Sequence, residues 1–196
     1  MSPADDRGLF LHASSVVVGG GAFLFLGHST AGKSTIVRLL GKSFPVLADD
    51  AVYASQGADG LWRVVDGSFR FGRDAMPDWP EEVRRRATGA GAVRLKGCLR
   101  IHKAEMARVA PLASVVLARY LMDAAMEIDQ QRKFGRATSG GPSGGCPIAA
   151  VRQMRQRWFH QAGEIARTYP GWHLWFAKDA GENEIGEILS RLAPDI

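Results

Sequence analysis

Residues 27–34 read Gly-His-Ser-Thr-Ala-Gly-Lys-Ser, which is the pattern G-x-x-x-x-G-K-S of a phosphate-binding P-loop. The two glycines let the backbone curl so that several N–H groups point at phosphate oxygens. In this motif Lys33 places a cation on the β- and γ-phosphates, and the Ser34 hydroxyl binds Mg²⁺. The sequence therefore predicts a nucleoside triphosphate site whose ligands are Gly27, Ser29, Thr30, Ala31, Gly32, Lys33, Ser34 and Thr35. Because a P-loop contacts phosphates and not the base, ATP and GTP are both compatible with it.

The segments on either side of the motif have the pattern that a P-loop requires. Ala22–Leu26 is a continuous apolar run, typical of a buried strand that ends at Gly27. Apolar residues then recur at helical spacing over Lys33–Leu40, and Gly41 is a suitable helix stop. This order of strand, loop and helix favours a P-loop over a chance glycine-rich turn.

Composition places the chain among soluble globular proteins. Its 196 residues are enough for one domain with a sizeable core, and 46% of them are hydrophobic. No apolar stretch approaches the roughly 20 residues of a membrane span, and no signal peptide is evident at the start. The two cysteines, Cys98 and Cys146, form neither a metal-ligand cluster nor a disulfide framework. We therefore expect a cytoplasmic protein with no membrane partner.

The net charge of +5 raises the question of an anionic partner. Much of the excess lies in Arg84, Arg85, Arg86, Arg94, Lys96, Arg100 and Lys103. A solvated face explains such a set most simply, although contact with an acidic partner or with nucleotide is also open. Nucleic acid is not favoured as a partner, because the usual aromatic and basic motifs are missing.

The rest of the chain reads as one α/β domain. Leu9–Val18, a turn at Gly19-Gly20-Gly21, and Ala22–Leu26 predict a strand hairpin that leads into the P-loop. Further strands are predicted at Pro45–Ala48, Ala51–Ala54, Leu61–Val65, Val115–Leu121 and Trp172–Ala177, with short helices at Glu81–Ala87 and Glu184–Leu192. Residues 135–147 are glycine-rich and are predicted to form a flexible loop within the domain.

Residues 148–169 give the strongest helix pattern in the chain. Apolar side chains recur at steps of three and four, and polar side chains occupy the other face. The predicted buried stripe consists of Val151, Met154, Trp158, Phe159, Ala162, Ile165, Ala166 and Tyr169. Pro170 and Gly171 then end the helix.

A carboxylate pair follows the P-loop helix closely. Val46-Leu-Ala-Asp-Asp50 leads an apolar run into Asp49 and Asp50, as in a Walker-B element. In a phosphotransferase one carboxylate helps to hold Mg²⁺ and another accepts the proton of the attacking hydroxyl. Close like charges separate their pKa values, which suits such a division of roles. A solvated Asp-Asp turn is the plainer alternative, and the sequence leaves open which aspartate is base and which is metal ligand.

His12 lies in the first predicted strand and is the last member of a set of motifs. Taken alone, it is expected to be a packed or exposed residue without a functional role. Together, His12, Gly27–Ser34 and Leu47-Ala-Asp-Asp50 resemble the catalytic domain of the HPr kinase/phosphorylase family. Val93–Ile101 shares the glycine and aliphatic residues of that family's second signature, but not its acidic residue.

The resemblance implies a P-loop serine kinase with a fold related to phosphoenolpyruvate carboxykinase, in which a mixed β-sheet carries the P-loop. It further implies transfer of the γ-phosphate of ATP, with Mg²⁺, to a serine of a protein or peptide, and a homo-oligomer. The catalytic residues would be Asp49, Asp50, His12 and Lys33, and the metal ligands Ser34 and Asp50. Arg or Lys within 94–103, Arg136 or Arg152 would neutralise charge in the transition state.

Three alternatives stay open at this point. A small hydroxylated molecule is a different acceptor for the same chemistry. A nucleotide-binding regulatory module with little catalysis would fit the missing acidic residue of the second signature. A P-loop hydrolase coupled to nucleic acid would fit the basic pI.

Overall fold

The structure, a computed structural model, describes residues 8–67, 91–137, 148–177 and 180–193. This part of the chain forms a mixed α/β fold. Its strands are β1 Gly8–Leu11, β2 Ala13–Val18, β3 Gly21–Leu26, β4 Val46–Ala48, β5 Val52–Gln56, β6 Trp62–Asp66, β7 Val93–Lys103, β8 Arg108–Leu112 and β9 Gly171–Phe176. Its helices are α1 Lys33–Leu40, α2 Ser114–Ala137, α3 Ile148–Thr168 and α4 Glu182–Leu192.

All nine of these strands join one mixed sheet. The main order is β1-β5-β6-β7-β3-β2-β4, and β9 pairs with both β7 and β8. β3 is parallel to β7, and β7 is parallel to β9, so the carboxyl ends of these three strands lie on one edge. The remaining pairs are antiparallel. The expectation of a mixed sheet is therefore confirmed.

The hairpin into β3 forms as the sequence predicts. Val18 pairs with Gly21, so the turn consists of Gly19 and Gly20, whose φ angles are 53° and 70°. A two-residue hairpin turn of this kind needs positive φ at both positions, which glycine adopts without steric cost.

The strand predicted over Leu9–Val18 is wrong as a single element, because the backbone breaks at His12. β1 pairs with β5, whereas β2 pairs with β3 and β4. Between them, the His12 N–H donates to the carbonyl oxygen of Ala124 in α2, at 3.0 Å. This contact with a helix takes His12 out of the sheet ladder.

Two hydrophobic cores cover the two faces of the sheet. Leu24 and Leu26 of β3 pack with α2 and α3 in one core, and Phe23 and Phe25 pack with α1 and α4 in the other. Every residue of β3 is buried. The unbroken apolar run of this strand follows from its burial on both faces.

The strand predicted at Val115–Leu121 is wrong, because these residues lie in α2. Leu117, Leu121, Ala124 and Ile128 are buried, and their spacing is that of one helix face. Val115, whose neighbour is also β-branched, gave the strand-like appearance, but its side chain is exposed. Residues 135–137, predicted as loop, are the last residues of α2. Residues 138–147 and the helix predicted at Glu81–Ala87 lie outside the described residues.

The long helix after the glycine-rich segment is confirmed as α3. Ala162, Ile165 and Ala166 are buried as expected, but Phe159 is 65% exposed and does not belong to the core. The strands near residues 46, 52, 62 and 172 and the last helix are also confirmed, with small differences at their ends. Across the described residues, no helix combines the length and apolar composition needed to cross a bilayer.

Candidate active site

The loop between β3 and α1, residues 27–32 (the glycine loop), has a geometry that requires glycine at both ends. Gly32 has φ of 103°, and a Cβ there would lie 3.0 Å from the Phe176 ring. A Cβ on Gly27 would lie 2.7 Å from that of Ala31. Thr30 also has a positive φ, 72°, which is uncommon for a residue with a side chain. The loop is therefore tightly curved, as the motif predicts.

Lys33 turns back into the curve of the glycine loop. Its Nζ donates to the carbonyl oxygens of Gly27 at 2.7 Å and His28 at 3.1 Å. Burial lowers the pKa of Lys33, and the Arg100 guanidinium lowers it further, whereas nearby carboxylates act in the opposite direction. The amine thus lies where phosphate oxygens, once bound, would offer it stronger partners than carbonyls.

The first turn of α1 is free of acidic residues and of a side-chain cap. Its partial positive charge is therefore not neutralised locally, which favours an anion at this end. Ser34 and Thr35 lie in this turn and are exposed.

A cavity of about 420 Å³ opens above the glycine loop. It is lined by His12, Ser29, Thr30, Gly32, Lys33, Ser34, Thr35, Asp50, Lys103 and Phe176. The structure thus brings most of the predicted nucleotide ligands together with His12 and Asp50. Gly27, Ala31 and Asp49 are not among the lining residues.

His12 occupies the centre of a chain of three side chains from separate elements. Its Nε2 lies 3.0 Å from Oδ1 of Asp50, and its Nδ1 lies 3.0 Å from Oε2 of Glu127 in α2. The His12 side chain is only 5% exposed, compared with 53% for Asp50 and 29% for Glu127. A buried imidazole therefore links two carboxylates that reach solvent.

Asp49 and Asp50, whose roles the sequence does not distinguish, have different surroundings in the structure. Both follow the end of β4. The carbonyl oxygen of Asp49 accepts a hydrogen bond from the Ser14 hydroxyl, which ties its backbone to β2. Asp50, in contrast, contacts His12 and lines the cavity.

Arg100 provides a cation on the α2 side of the glycine loop. Its guanidinium carbon lies 4.6 Å from the centre of the Tyr120 ring. A Cβ on Gly27 would lie 3.5 Å from Arg100 Nη1, so the guanidinium lies beside the loop. Its buried Nε has no hydrogen-bond partner within the described part of the chain. A second cation therefore lies near the glycine loop.

Of the other described cations that the sequence analysis considers for neutralising transition-state charge, Lys103 alone is among the cavity-lining residues. Arg152 lines a groove between α2 and α3, away from the glycine loop. The side chain of Arg136 lies outside the described residues. Lys103, within the predicted range 94–103, does line the cavity.

Glu127 and Phe176 are site residues that sequence reasoning missed. The helical spacing of Leu117, Leu121, Ala124 and Ile128 was the available signal for α2, and it would have assigned Glu127 to a helix. Nothing in the sequence signals the pairing of that helix with His12.

A divalent cation would find a partial ligand set here. In the described residues, no group of three or more His, Cys, Asp or Glu side chains is arranged to hold a metal ion. Mg²⁺ in nucleotide sites is commonly held by one or two protein oxygens together with phosphate oxygens and water. The Ser34 hydroxyl and the Asp50 carboxylate, both on the cavity wall, fit that description.

Comparisons with known proteins add little to what the geometry of the site indicates about function. No protein-family model and no curated protein matches the chain. One solved structure, the HPr(Ser) kinase/phosphatase from Coxiella burnetii, aligns at 15% identity over 53% of this chain and 72% of that chain, with a TM-score of 0.32. Similarity at this level does not support the transfer of an activity or of site residues.

Proposed function

We propose that the chain is an ATP- and Mg²⁺-dependent phosphotransferase that moves the γ-phosphate to a hydroxyl, with a serine of a protein or peptide as acceptor. One observation carries the proposal. Lys33, held in the curve of the glycine loop, shares a cavity with Asp50, a carboxylate in contact with a buried histidine. A phosphate-binding loop and a positioned base are the two parts that phosphoryl transfer to a hydroxyl needs.

The triphosphate would bind along the glycine loop. Backbone N–H groups of residues 29, 30 and 32–35, at the end of the glycine loop and in the first turn of α1, would offer donors, and Lys33 offers the cation. Mg²⁺, held by the Ser34 hydroxyl and phosphate oxygens, would reduce the charge repulsion that an incoming oxygen meets.

Asp50 is the better placed of the two aspartates to act as base. Its Oδ1 contacts His12, and its side chain lines the cavity in which an acceptor hydroxyl would lie. The acceptor oxygen would attack the γ-phosphorus while its proton passes to Asp50. The bond to the β–γ bridging oxygen breaks, and that oxygen leaves with the electron pair as part of ADP.

Asp50 is also a candidate metal ligand, since it is the carboxylate among the cavity-lining residues. The two roles are distinguished by the Mg²⁺ dependence of Asp50→Asn. A lost ligand raises the Mg²⁺ concentration needed for half-maximal rate, whereas a lost base lowers the rate at saturating Mg²⁺.

The test follows labelled γ-phosphate from ATP and Mg²⁺ in a cell extract, with wild type, Lys33→Ala, Asp50→Asn and the control Lys42→Ala. Lys42 is an exposed lysine just beyond α1. Label on a protein, peptide or small molecule that depends on Lys33 and Asp50 would establish the transferase and its acceptor class. Label that stays on ATP despite binding would indicate a regulatory module, and label released as free phosphate would indicate a hydrolase.

A further inference from the structure

The His12 ring lies between two carboxylates that belong to different elements of the fold. Each nitrogen of the ring is 3.0 Å from a carboxylate oxygen, Asp50 on one side and Glu127 on the other. The Glu127 contact is a close polar contact and not an aligned hydrogen bond, because Nδ1 has no hydrogen-bond partner within the described residues. Each carboxylate therefore restricts the position of one ring nitrogen.

Helix α2 holds His12 by its backbone as well as its side chain. The carbonyl oxygen of Ala124 accepts the His12 N–H, and Glu127, three residues further along the same helix, contacts the ring. The two contacts fix both ends of the residue. Since the side chain is 5% exposed, there is little room for the ring to rotate.

We infer that Glu127 is a positioning residue for the proposed phosphotransferase: it holds the His12 ring in the orientation in which Nε2 contacts Asp50. The inference rests on the proposed function. No proton has to pass through Glu127, because Asp50 is itself 53% exposed and can return the acceptor proton to water.

Glu127 has a second effect on the same site. Its charge opposes the lowering of the pKa of Lys33 that burial causes, and it does so more strongly than Asp50 or Asp49. One carboxylate on α2 thus supports the base on one side of the cavity and the cation on the other.

The test uses Glu127→Gln, which keeps the size of the side chain and removes its charge. The matched control is Glu164→Gln, the same change at an exposed position of α3. The ¹⁵N chemical shifts of the His12 ring, recorded without nucleotide, report which ring nitrogens carry hydrogen and do not depend on activity. The transfer rate, the KM for ATP and the pH profile of kcat are measured on the same proteins.

We expect Glu127→Gln to change the His12 ring signals and to lower kcat about 10- to 100-fold, a common cost of removing a residue that orients a functional side chain. The pH profile of kcat should shift, and the KM for ATP should stay within about twofold. Glu127→Asp, which restores the charge with a shorter side chain, should recover part of the rate. Glu164→Gln should behave as wild type.

Failure of the inference and failure of the proposed function give different results. If transfer depends on Lys33 and Asp50 while Glu127→Gln matches Glu164→Gln in rate and His12 signals, the function stands and the inference is wrong. If the His12 signals respond to Glu127→Gln but no acceptor is phosphorylated, Glu127 orients the ring and the proposed function is wrong.

Discussion

The Nζ atom of Lys33 donates a hydrogen bond of 2.7 Å to the carbonyl oxygen of Gly27, at the opposite end of the glycine loop. The bond closes the loop around a buried amine. Its partner is a neutral carbonyl, and a bound phosphate would supply a charged acceptor, whose hydrogen bonds are roughly twice as strong. The loop therefore holds its cation ready for an anion.

Replacing Lys33 by Met should weaken ATP binding more than it weakens the fold. Loss of a charge-assisted hydrogen bond costs about 1.5–3 kcal/mol, which corresponds to roughly a 10- to 150-fold increase in Kd. Since burying an ammonium is unfavourable and Met is apolar, the unfolding temperature should not fall. Calorimetric titration and thermal unfolding test both statements, with Lys42→Met as the control. An unchanged Kd would contradict the assignment of Lys33 to phosphate.

The same lysine should make stability depend on alkaline pH. Burial lowers its pKa from the ordinary 10.5, so between the lowered pKa and 10.5 the folded protein binds fewer protons there than the unfolded chain. The free energy of unfolding then rises with pH in that window. Chemical denaturation at several pH values should show that the free energy of unfolding of wild type rises relative to that of Lys33→Met as the pH approaches 10.5. A difference that is independent of pH would indicate a lysine with an ordinary pKa.

The two aspartates should respond differently to the same substitution. Asp50→Asn removes the carboxylate that lines the cavity and contacts His12, so we expect kcat to fall about 10²- to 10⁴-fold, as for loss of a general base. Asp49→Asn changes a residue that does not line the cavity and should have a smaller effect. Steady-state rates at saturating ATP and Mg²⁺ measure both. Equal losses of kcat in the two variants would contradict the assignment of Asp50 alone as the base.

The contact between Gly32 and Phe176 should make Gly32→Ala costlier than a glycine substitution elsewhere. Gly60 has a similar positive φ but nothing within 4 Å of a Cβ, so Gly60→Ala measures the backbone cost alone, about 1–2 kcal/mol. Gly32→Ala adds a close contact at 3.0 Å with a buried ring. Denaturant unfolding should show a larger loss for Gly32→Ala, together with weaker ATP binding. Equal losses would mean that the Phe176 ring moves aside freely.

The local elements of the site could be predicted from the sequence, because their signals lie within a few residues of one another. The apolar run of β3, the glycines and Lys33 predict strand, loop and helix, and α1 spans Lys33–Leu40 as expected. Asp49 and Asp50 follow a strand, also as expected. These features depend on backbone conformation and burial that each segment prefers by itself.

Contacts between distant segments could not be predicted. The break at His12 depends on the Ala124 carbonyl oxygen, and the second partner of its ring is Glu127, both on a helix far along the chain. The sequence predicts a strand at the start of that helix because Val115 and Val116 are β-branched, whereas Leu117 and Leu121 pack in the core as parts of a helix. The division of roles between Asp49 and Asp50 likewise depends on which one meets His12.

Arg100 should contribute to transfer more than to stability. Its guanidinium lies beside the glycine loop and over the Tyr120 ring, and its Nε has no hydrogen-bond partner in the described part of the chain. Because its charge lies close enough to lower the pKa of Lys33, an anion bound to the loop should be attracted to both cations. Arg100→Gln should therefore lower the transfer rate, by about tenfold if it removes 1.4 kcal/mol of transition-state stabilisation. Arg94→Gln is the matched control, because Arg94 is exposed near the start of the same strand and does not line the cavity, so the structure does not support a role for it in transfer. If both variants keep the wild-type rate, the cation on the α2 side of the loop has no part in transfer, and Lys103 becomes the next residue to change.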